Sequence, residues 1–480
     1  MEVVAGNDQE SLLKNSVNVE RSTSDYRVYR RRWYILAVLC LLNLSNGTIW
    51  LSFAPIADQT AEFYKVSLTT VNWLSLVYMI ASIPLGLLAT WLLDTLGLRA
   101  GIILAAFLNL IGPVLRVVSA IPMDMSDSVR FPLLLIGQTI AAVAQPFIIE
   151  SPAKVAAVWF AQNERATANM IGSMSNPLGL LLANVLSPAL ITTDKHTATD
   201  FTLLLSLYCA IPLLGLLMSL FGVCSSEPPS PPTASAAAES ESFFQGLKKL
   251  ARNRQYWVLC VVFGSGLGLF STLTTILEQV LCPRGYDDSI SGLCAALMII
   301  CGVVGAGVAG VFVDKTKMFQ EVVKVSYAMA GIGFVILAVL SRYRNLDAVM
   351  VVAAGIFGFF GFALYPISLE LAVEVAYPVA EATSAGLLVV SGQIQGIILV
   401  FLAQALALPL SGADAPYANC GTNGDIVPQD NTVTMLVFAG ISCVAAVVQI
   451  IFLHPEYKRL KAEREEAEAH KAPTYNGVTI

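Results

Sequence analysis

From residue 33 onward the chain alternates between long apolar runs and short polar breaks. The runs lie at about 33–57, 71–93, 100–123, 131–149, 167–193 and 201–224, then at about 257–281, 290–313, 325–341, 347–369, 383–410 and 432–454. Each is close to the ~20 residues an α-helix needs to cross hydrocarbon, so the pattern predicts twelve membrane-spanning helices. Residues 1–32 are polar, end in Arg30-Arg31-Arg32 and contain no short apolar core followed by a small-residue cleavage site, which leaves the first run as its own insertion signal. Residues 225–256 read as a linker. They open with Pro228-Pro229-Ser230-Pro231-Pro232 and an Ala/Ser/Glu stretch, then place Phe243, Leu247 and Leu250 on one helical side and Lys248, Lys249, Arg252 and Arg254 on the other, the pattern of a helix lying in the interface. The expected organisation is an N-tail (1–32), a six-helix bundle (33–224), the linker, a second six-helix bundle (257–454) and a charged C-tail (455–480).

The two bundles read as copies of one another. Asp94-Thr95-Leu96-Gly97-Leu98-Arg99 closes the second run, and Asp314-Lys315-Thr316-Lys317 closes the eighth, at an offset of 220 in the numbering. At the same offset Gln145-Pro146 and Glu150 match Tyr365-Pro366 and Glu370, and Trp50 matches Phe270; near the fifth and eleventh runs the offset becomes 217, pairing Glu164 with Glu381, Asn176 with Gln393 and Gly179 with Gly396. Two six-span halves in parallel relation are the layout of the major facilitator fold, in which a solute binds near the midplane between the halves. The expected fold class is therefore an all-α membrane protein of twelve transmembrane helices in two six-helix pseudo-repeats.

Composition removes the competing classes. Of 480 residues 56% are hydrophobic and 13% charged, with a mean hydropathy of +0.69, too apolar for a soluble globular chain. A net charge of -6 lacks the footprint of a nucleic-acid binder. The basic residues are sorted by side: 21 Lys and Arg fall on the side of the termini and six on the other, with Arg116 inside a span, so the positive-inside rule puts both termini in the cytoplasm. Nine cysteines and three histidines show no metal-ligand spacing. The partners expected are a small-molecule solute and the lipid bilayer, with no cofactor, no metal and no nucleic acid, and the chain is read as a monomer and not as an enzyme.

Two sets of residues stand out. Asp94, Gly97 and Arg99 with their copies Asp314, Lys315 and Lys317 form turns at the inner ends of both halves, where acids and bases can pair in one conformation and part in another. Glu150, Glu370, Glu374 and Glu381 are placed at inner helix ends too, with Lys154 and Arg165 as available partners in the first half, and the whole group is read as a gating latch. The second set, Asn43, Asn46, Trp50, Tyr78, Gln145, Phe270, Tyr365 and Gln393, consists of polar and aromatic groups within spans. Two glutamines, one from each half, with a tryptophan suit a neutral or cationic solute held by amide oxygens and an aromatic face. Pro146, Pro177 and Pro366 are read as interrupting spans that line a path, and Gly302, Ala306 and Gly310 as a packing stripe. Every carboxylate is assigned to a span end, Asp58 and Glu278 at the outer ends and the rest at the inner, which favours facilitated movement over proton coupling. A non-transporting receptor or scaffold is the alternative from another class, and paired latches in both halves argue against it.

The runs Arg31-Arg32-Trp33, Asn72-Trp73-Leu74-Ser75-Leu76-Val77-Tyr78, Ala89-Thr90-Trp91-Leu92-Leu93-Asp94, Ala144-Gln145 and Glu370-Leu371-Ala372-Val373-Glu374-Val375-Ala376-Tyr377-Pro378 resemble the feline leukaemia virus subgroup C receptor-related transporters, solute carrier family 49 of the major facilitator superfamily. Leu51-Ser52-Phe53-Ala54-Pro55, Arg165-Ala166-Thr167-Ala168-Asn169, Ser175-Asn176-Pro177-Leu178-Gly179 and Leu277-Glu278-Gln279 look closest to a less-characterised branch of it. The resemblance implies transport of choline and ethanolamine, with heme as another proposed cargo; a small organic amine is the expected substrate class, with a porphyrin or a vitamin-like ring as alternatives. It also implies amine contacts from Trp50, Gln145 and Gln393. Where choline-handling relatives have a tyrosine in the seventh span this chain has Ser271, with Phe270 one step away.

Two further expectations concern the ends and loops. Asp8-Gln9-Glu10-Ser11-Leu12-Leu13 and Tyr457-Lys458-Arg459-Leu460 have the spacing of endolysosomal sorting signals, set against a first reading of plasma membrane. Cys282 and Cys420, in the outer loops 7–8 and 11–12, are expected to form a disulfide, with Cys294 as the competing partner.

Overall fold

The computed structural model describes residues 26–121, 126–191, 197–237, 243–286, 288–410 and 429–471; Leu12, Leu13, Cys420 and the side chains of Asp58 and Glu278 lie outside the described residues. Among the described residues twelve long helices form the body: α1 (Arg31–Leu51), α2 (Leu68–Thr95), α3 (Leu98–Ala120), α4 (Asp127–Trp159), α5 (Arg165–Leu190), α6 (Ala198–Gly222), α7 (Arg254–Leu281), α8 (Asp288–Thr316), α9 (Phe319–Leu340), α10 (Asp347–Ala376), α11 (Glu381–Leu406) and α12 (Thr432–Phe452). Eleven are long and apolar enough to cross a membrane. The exception is α5, whose apolar character is diluted by Asn169, Ser173, Ser175 and Asn176 on its buried face.

Helix packing repeats from one half to the other. In the first half α1 packs on α5 and α6, and α3 on α4 and α6, with α2 against α4; in the second α7 packs on α11 and α12, and α9 on α10 and α12, with α8 against α10. The halves meet through α2 with α11 and α5 with α8, again related pairs. Large apolar side chains remain exposed around the outside, including Val185, Leu214 and Phe221 in the first half and Val308, Val352 and Phe401 in the second, as a lipid-facing surface requires.

Helix ends depart from the apolar runs in an informative way. The run in α4 stops near residue 149, but the helix continues to Trp159 through Glu150, Ser151 and Lys154; that in α10 stops near 369, but the helix continues to Ala376 through Glu370 and Glu374. Polarity ended the runs without breaking the hydrogen-bond ladder, so Glu150 and Glu370 lie inside the helices, while Glu374 falls in the last turn of α10. The prolines also behave differently from expectation: Pro146, Pro177 and Pro366 sit within continuous helices. The carbonyl of Pro366 is taken up across the halves, accepting from Asn169 Nδ2 at 3.1 Å. After Leu51 the first run does break, into a short turn at Ala54–Ile56 and a helix at Ala57–Tyr64. The linker forms its amphipathic helix at Phe243–Arg252, with Leu250 buried and Phe244 exposed, and a tail helix follows at Lys458–Lys471.

Buried polar groups hold the first half together. Asn46 donates to Asn109 Oδ1 (2.9 Å) and to the Ala141 carbonyl (3.2 Å), Asn109 donates to Ser45 (2.7 Å), and Gln138 donates to the Leu74 carbonyl (2.9 Å). Arg116, 1% exposed within α3, is the least expected member of this set. Its guanidinium donates to the Ile49 carbonyl at 3.1 Å and to the Ser52 hydroxyl, and lies 4.7 Å from the Phe53 ring centroid. It thereby satisfies the backbone where α1 ends inside the protein. Arg116→Ala should lower stability by about 2–4 kcal/mol, because it orphans these acceptors and opens a void. Thermal unfolding of the purified protein in detergent measures the loss, and an unchanged midpoint would refute the role.

Candidate functional site

Where the two halves meet near mid-bundle, a narrow cavity is lined by Ser82 of α2, Gln145, Pro146, Ile149 and Glu150 of α4, and Val389, Val390 and Gln393 of α11. Its free space is about 10 Å³, room for roughly one water molecule, so the helices are closed around it in this conformation. Gln145 and Gln393, read from sequence as amides contributed by the two halves, are thus on one cavity. Gln145 is oriented by Ser82, whose hydroxyl donates to its Oε1 at 3.0 Å and to the Tyr78 carbonyl at 2.6 Å. Tyr78 in turn stacks on Trp50, with ring centroids 6.1 Å apart and planes 27° apart. Trp50 Nε1 and the Tyr78 hydroxyl are buried without a hydrogen-bond partner among the described residues. The bond to Tyr78 is to its backbone, one turn back in α2, so the Trp50–Tyr78 stack lies a helical turn from Ser82 and is not part of the cavity lining.

Other residues of the expected solute set face elsewhere. Asn43 and Asn46 are enclosed in the helix contacts of the first half, bonded to backbone and to Asn109, so both pin helices instead of facing the cavity. Phe270 packs edge-on to Phe362 at 4.8 Å and near Phe357 at 6.2 Å, in an apolar cluster that also includes Met174 of α5, and does not line the cavity. Tyr365 packs beside Phe263 at 5.6 Å and stays near the cavity-lining Glu150 without lining the cavity itself. A separate apolar groove between α1 and α5, rimmed by Trp33, Leu41 and Leu44, opens on the outer surface.

Toward the face where both chain ends emerge, the halves are joined by two equivalent caps. Asp94 at the end of α2 accepts the Thr383 backbone N–H (2.8 Å) and hydroxyl (2.6 Å) at the start of α11. Asp314 at the end of α8 accepts the backbone N–H groups of Ala166 (2.9 Å) and Thr167 (2.7 Å) at the start of α5. The first-turn N–H groups of a helix have no partner of their own and carry the positive end of its dipole, so each carboxylate answers both needs. Gly97, at φ +85°, makes the turn after Asp94 in a conformation that a side chain disfavours, and an added Cβ would lie 2.6 Å from Ser226 Oγ.

The base partners differ from those expected. Asp94 pairs with Lys154 (2.6 Å), not with Arg99, which donates to the Cys224 carbonyl (3.0 Å) and so anchors the linker. Lys317 lies 3.9 Å from Asp314 and donates to the Gln162 carbonyl, whereas Lys315 and Glu381 make no ion pair among the described residues. Glu150 pairs with neither Lys154, which Asp94 holds, nor Arg165.

The tail helix supplies what sequence reading missed. Arg459, 1% exposed, enters between Glu370 (3.4 Å) and Glu374 (3.1 Å), and Glu374 also accepts the Leu460 N–H at 3.0 Å. Arg165 pairs with Glu463 at 2.9 Å and donates to Thr233 and Ser235 of the linker. Burial alone would push the Glu463 carboxyl up, but the Arg165 guanidinium, the Ser235 hydroxyl and Arg459 hold it below the usual carboxylate range. Two glutamates one turn apart in an apolar helix, with no base in the adjoining loop, were the available signal for a cation from elsewhere. The same packing occupies the tyrosine signal: the Tyr457 hydroxyl accepts from the Gln320 N–H at 2.9 Å and Leu460 is buried, so this segment is not displayed as an extended signal. At the opposite face Cys282 is disulfide-bonded, and Cys294 is a free buried thiol. Arg459→Ala should cost on the order of 3–5 kcal/mol by leaving two buried carboxylates uncompensated, with Glu370→Gln and Glu374→Gln recovering part of it. Thermal unfolding of the single and combined variants decides, and additive losses would contradict the coupling.

Comparison with known proteins agrees with this architecture. The family model described as Major Facilitator Superfamily matches residues 36–400. The chain is 43% identical to solute carrier family 49 member A3 of Xenopus tropicalis over 93% of each chain, and 32% identical to the choline/ethanolamine transporter flvcr2b of Danio rerio over 80% of each. Among solved structures, the major facilitator transporter FucP in the outward conformation superposes with a TM-score of 0.65 at 16% identity, covering 89% of this chain and 100% of that one. With a family model spanning most of its length and a relative of such identity almost end to end, the chain belongs to the Major Facilitator Superfamily and, within it, to solute carrier family 49.

Proposed function

We propose that this transporter carries a small organic amine of the choline/ethanolamine class by alternating access, with both termini in the cytoplasm and the plasma membrane as its site. The observation that carries the reading is the convergence of Gln145 and Gln393, one from each half, on one cavity, with the Trp50–Tyr78 stack one helical turn from its Ser82. Amide oxygens accept from an ammonium or hydroxyl group, and an aromatic face attracts a cation. The naming of flvcr2b as a choline/ethanolamine transporter supports the same class. Because the cavity is lined from both halves, it widens to admit the solute when they part and narrows again when they close.

In this scheme the Asp94 and Asp314 caps close the cytoplasmic side, and their release lets the halves rock the other way. Cys282 is taken to be joined to Cys420, the other seven cysteines being free, which ties the outer loop after α11 to the end of α7.

Reconstituted protein should show choline- or ethanolamine-dependent uptake and thermal stabilisation; neither response across an amine and porphyrin panel would favour the receptor reading instead. Trp50→Ala should lose about 1–2 kcal/mol of choline binding, with Trp50→Phe keeping part of it, and intact affinity in Trp50→Ala would sink the aromatic contact. Asp94→Asn with Asp314→Asn should shift the conformational balance toward cytoplasmic opening by on the order of 1–3 kcal/mol. Distances between spin labels on the cytoplasmic ends of α4 and α10 report that shift, and an unchanged distribution would remove the caps from the gate.

A further inference from the structure

The pseudo-repeat places Glu150 and Glu370 at equivalent points of α4 and α10, yet their surroundings differ. Glu370 meets the Arg459 guanidinium. Glu150 is 2% exposed and lines the cavity beside Gln145 and Gln393; its Oε2 accepts from the Thr90 hydroxyl at 2.8 Å, and it has no ion pair among the described residues.

The charged and titratable groups around it are accounted for on every side. Lys154, one turn on in α4, is held by Asp94, and Asp94 of α2 adds a second negative charge nearby. Arg165 is committed to Glu463. From α10 the Tyr365 phenol is the nearby titratable group. From α11 the neighbours are Gly386, Val389, Val390 and Gln393, none charged. Two glycines keep the carboxyl uncovered: an added methyl at Gly86 would lie 3.3 Å from Oε1 and one at Gly386 2.9 Å from Oε2. A buried carboxyl that faces no base is compensated by a proton or by a cation delivered to it, and the cavity is the route for either.

We propose that Glu150 is the charge-selecting residue of the solute path, where a proton and an organic monocation compete for one carboxylate. When the halves part, the carboxyl gives its proton to water entering the cavity and the carboxylate pairs with the ammonium group. When the site empties, the proton returns from water. An uncharged solute of the same shape gains nothing from Glu150. Because the proton leaves on the side where the cation binds and returns on the side where it is released, a full cycle carries one proton opposite to each cation, and a proton on the carboxyl competes with cation binding. The inference replaces the expectation that every carboxylate lies at a span end, and it rests on the amine reading above.

Calorimetry on the full-length protein in nanodiscs tests it, with choline, ethanolamine and dimethylbutanol, the uncharged carbon isostere of choline, between pH about 5 and 8 in two buffers of different protonation enthalpy. Choline affinity should rise with pH by up to about tenfold per unit, binding should release up to one proton per choline, and dimethylbutanol should bind weakly without a pH slope. Glu150→Gln should abolish the slope and the proton release and weaken choline about tenfold or more, and Glu150→Asp should retain the slope. Wild-type protein that binds choline with no slope and no proton release overturns the inference without reference to any variant, as does Glu150→Gln retaining both. Wild-type protein that binds neither amine overturns the amine reading and this inference with it.

Discussion

Two carboxylates, each capping a helix of the opposite half, set the conformation on which the rest of the structure depends. Asp94 holds the start of α11 and Asp314 the start of α5, and the contacts are the same contact made twice: the two acids are repeat-related, and so are Thr383 and Ala166, which they hold. Each carboxylate satisfies a backbone N–H that the helix itself cannot satisfy, in a setting where water does not compensate freely. Because every one of these bonds crosses between the halves, parting them at this face uncovers both acids and the donors they hold at the same time.

Around this pair the sequence repeat is broken by the placement of charge. The tail helix neutralises Glu370 and Glu374 of the second half with Arg459 and reaches the first half through Glu463 and Arg165. Among the described residues no equivalent cation reaches Glu150. Two halves of common design therefore present different chemistry to the space between them: a closed ion-pair cluster under α10 and an uncompensated carboxyl beside α11. In an apolar interior an unpaired charge costs far more than an exposed salt bridge contributes, so this difference separates the repeats more strongly than any surface pair does.

The polar residues inside the first half show how the same constraint governs stability. Asn43, Asn46, Asn109, Gln138 and Arg116 all sit where helices cross or end, and each donates to a carbonyl or side-chain oxygen within the bundle. Arg116 closes the gap left when α1 stops inside the protein. Solute contact and helix packing draw on the same residue types in a membrane, and only position separates Gln145 on the cavity from Asn46 behind it.

The sequence by itself determined the twelve spans, the two-half repeat and the contribution of one glutamine from each half, because hydropathy over the length of a span and the recurrence of charged and proline positions are properties of the chain read locally. It also determined that Asp94 and Asp314 play equivalent parts. What the tertiary structure alone decided was partnership. Lys154 rather than Arg99 serves Asp94, Arg459 from the tail serves Glu370 and Glu374, and Phe270 packs on Phe362 and Phe357 away from the cavity lining. Glu150 lies well inside α4 because a helix ends where its hydrogen bonds end and not where its apolar residues do. Contacts such as Lys154 with Asp94, 60 residues apart, and Thr383 with Asp94, 289 apart, are set by how helices pack, and no local pattern encodes which of several equally charged side chains arrives first.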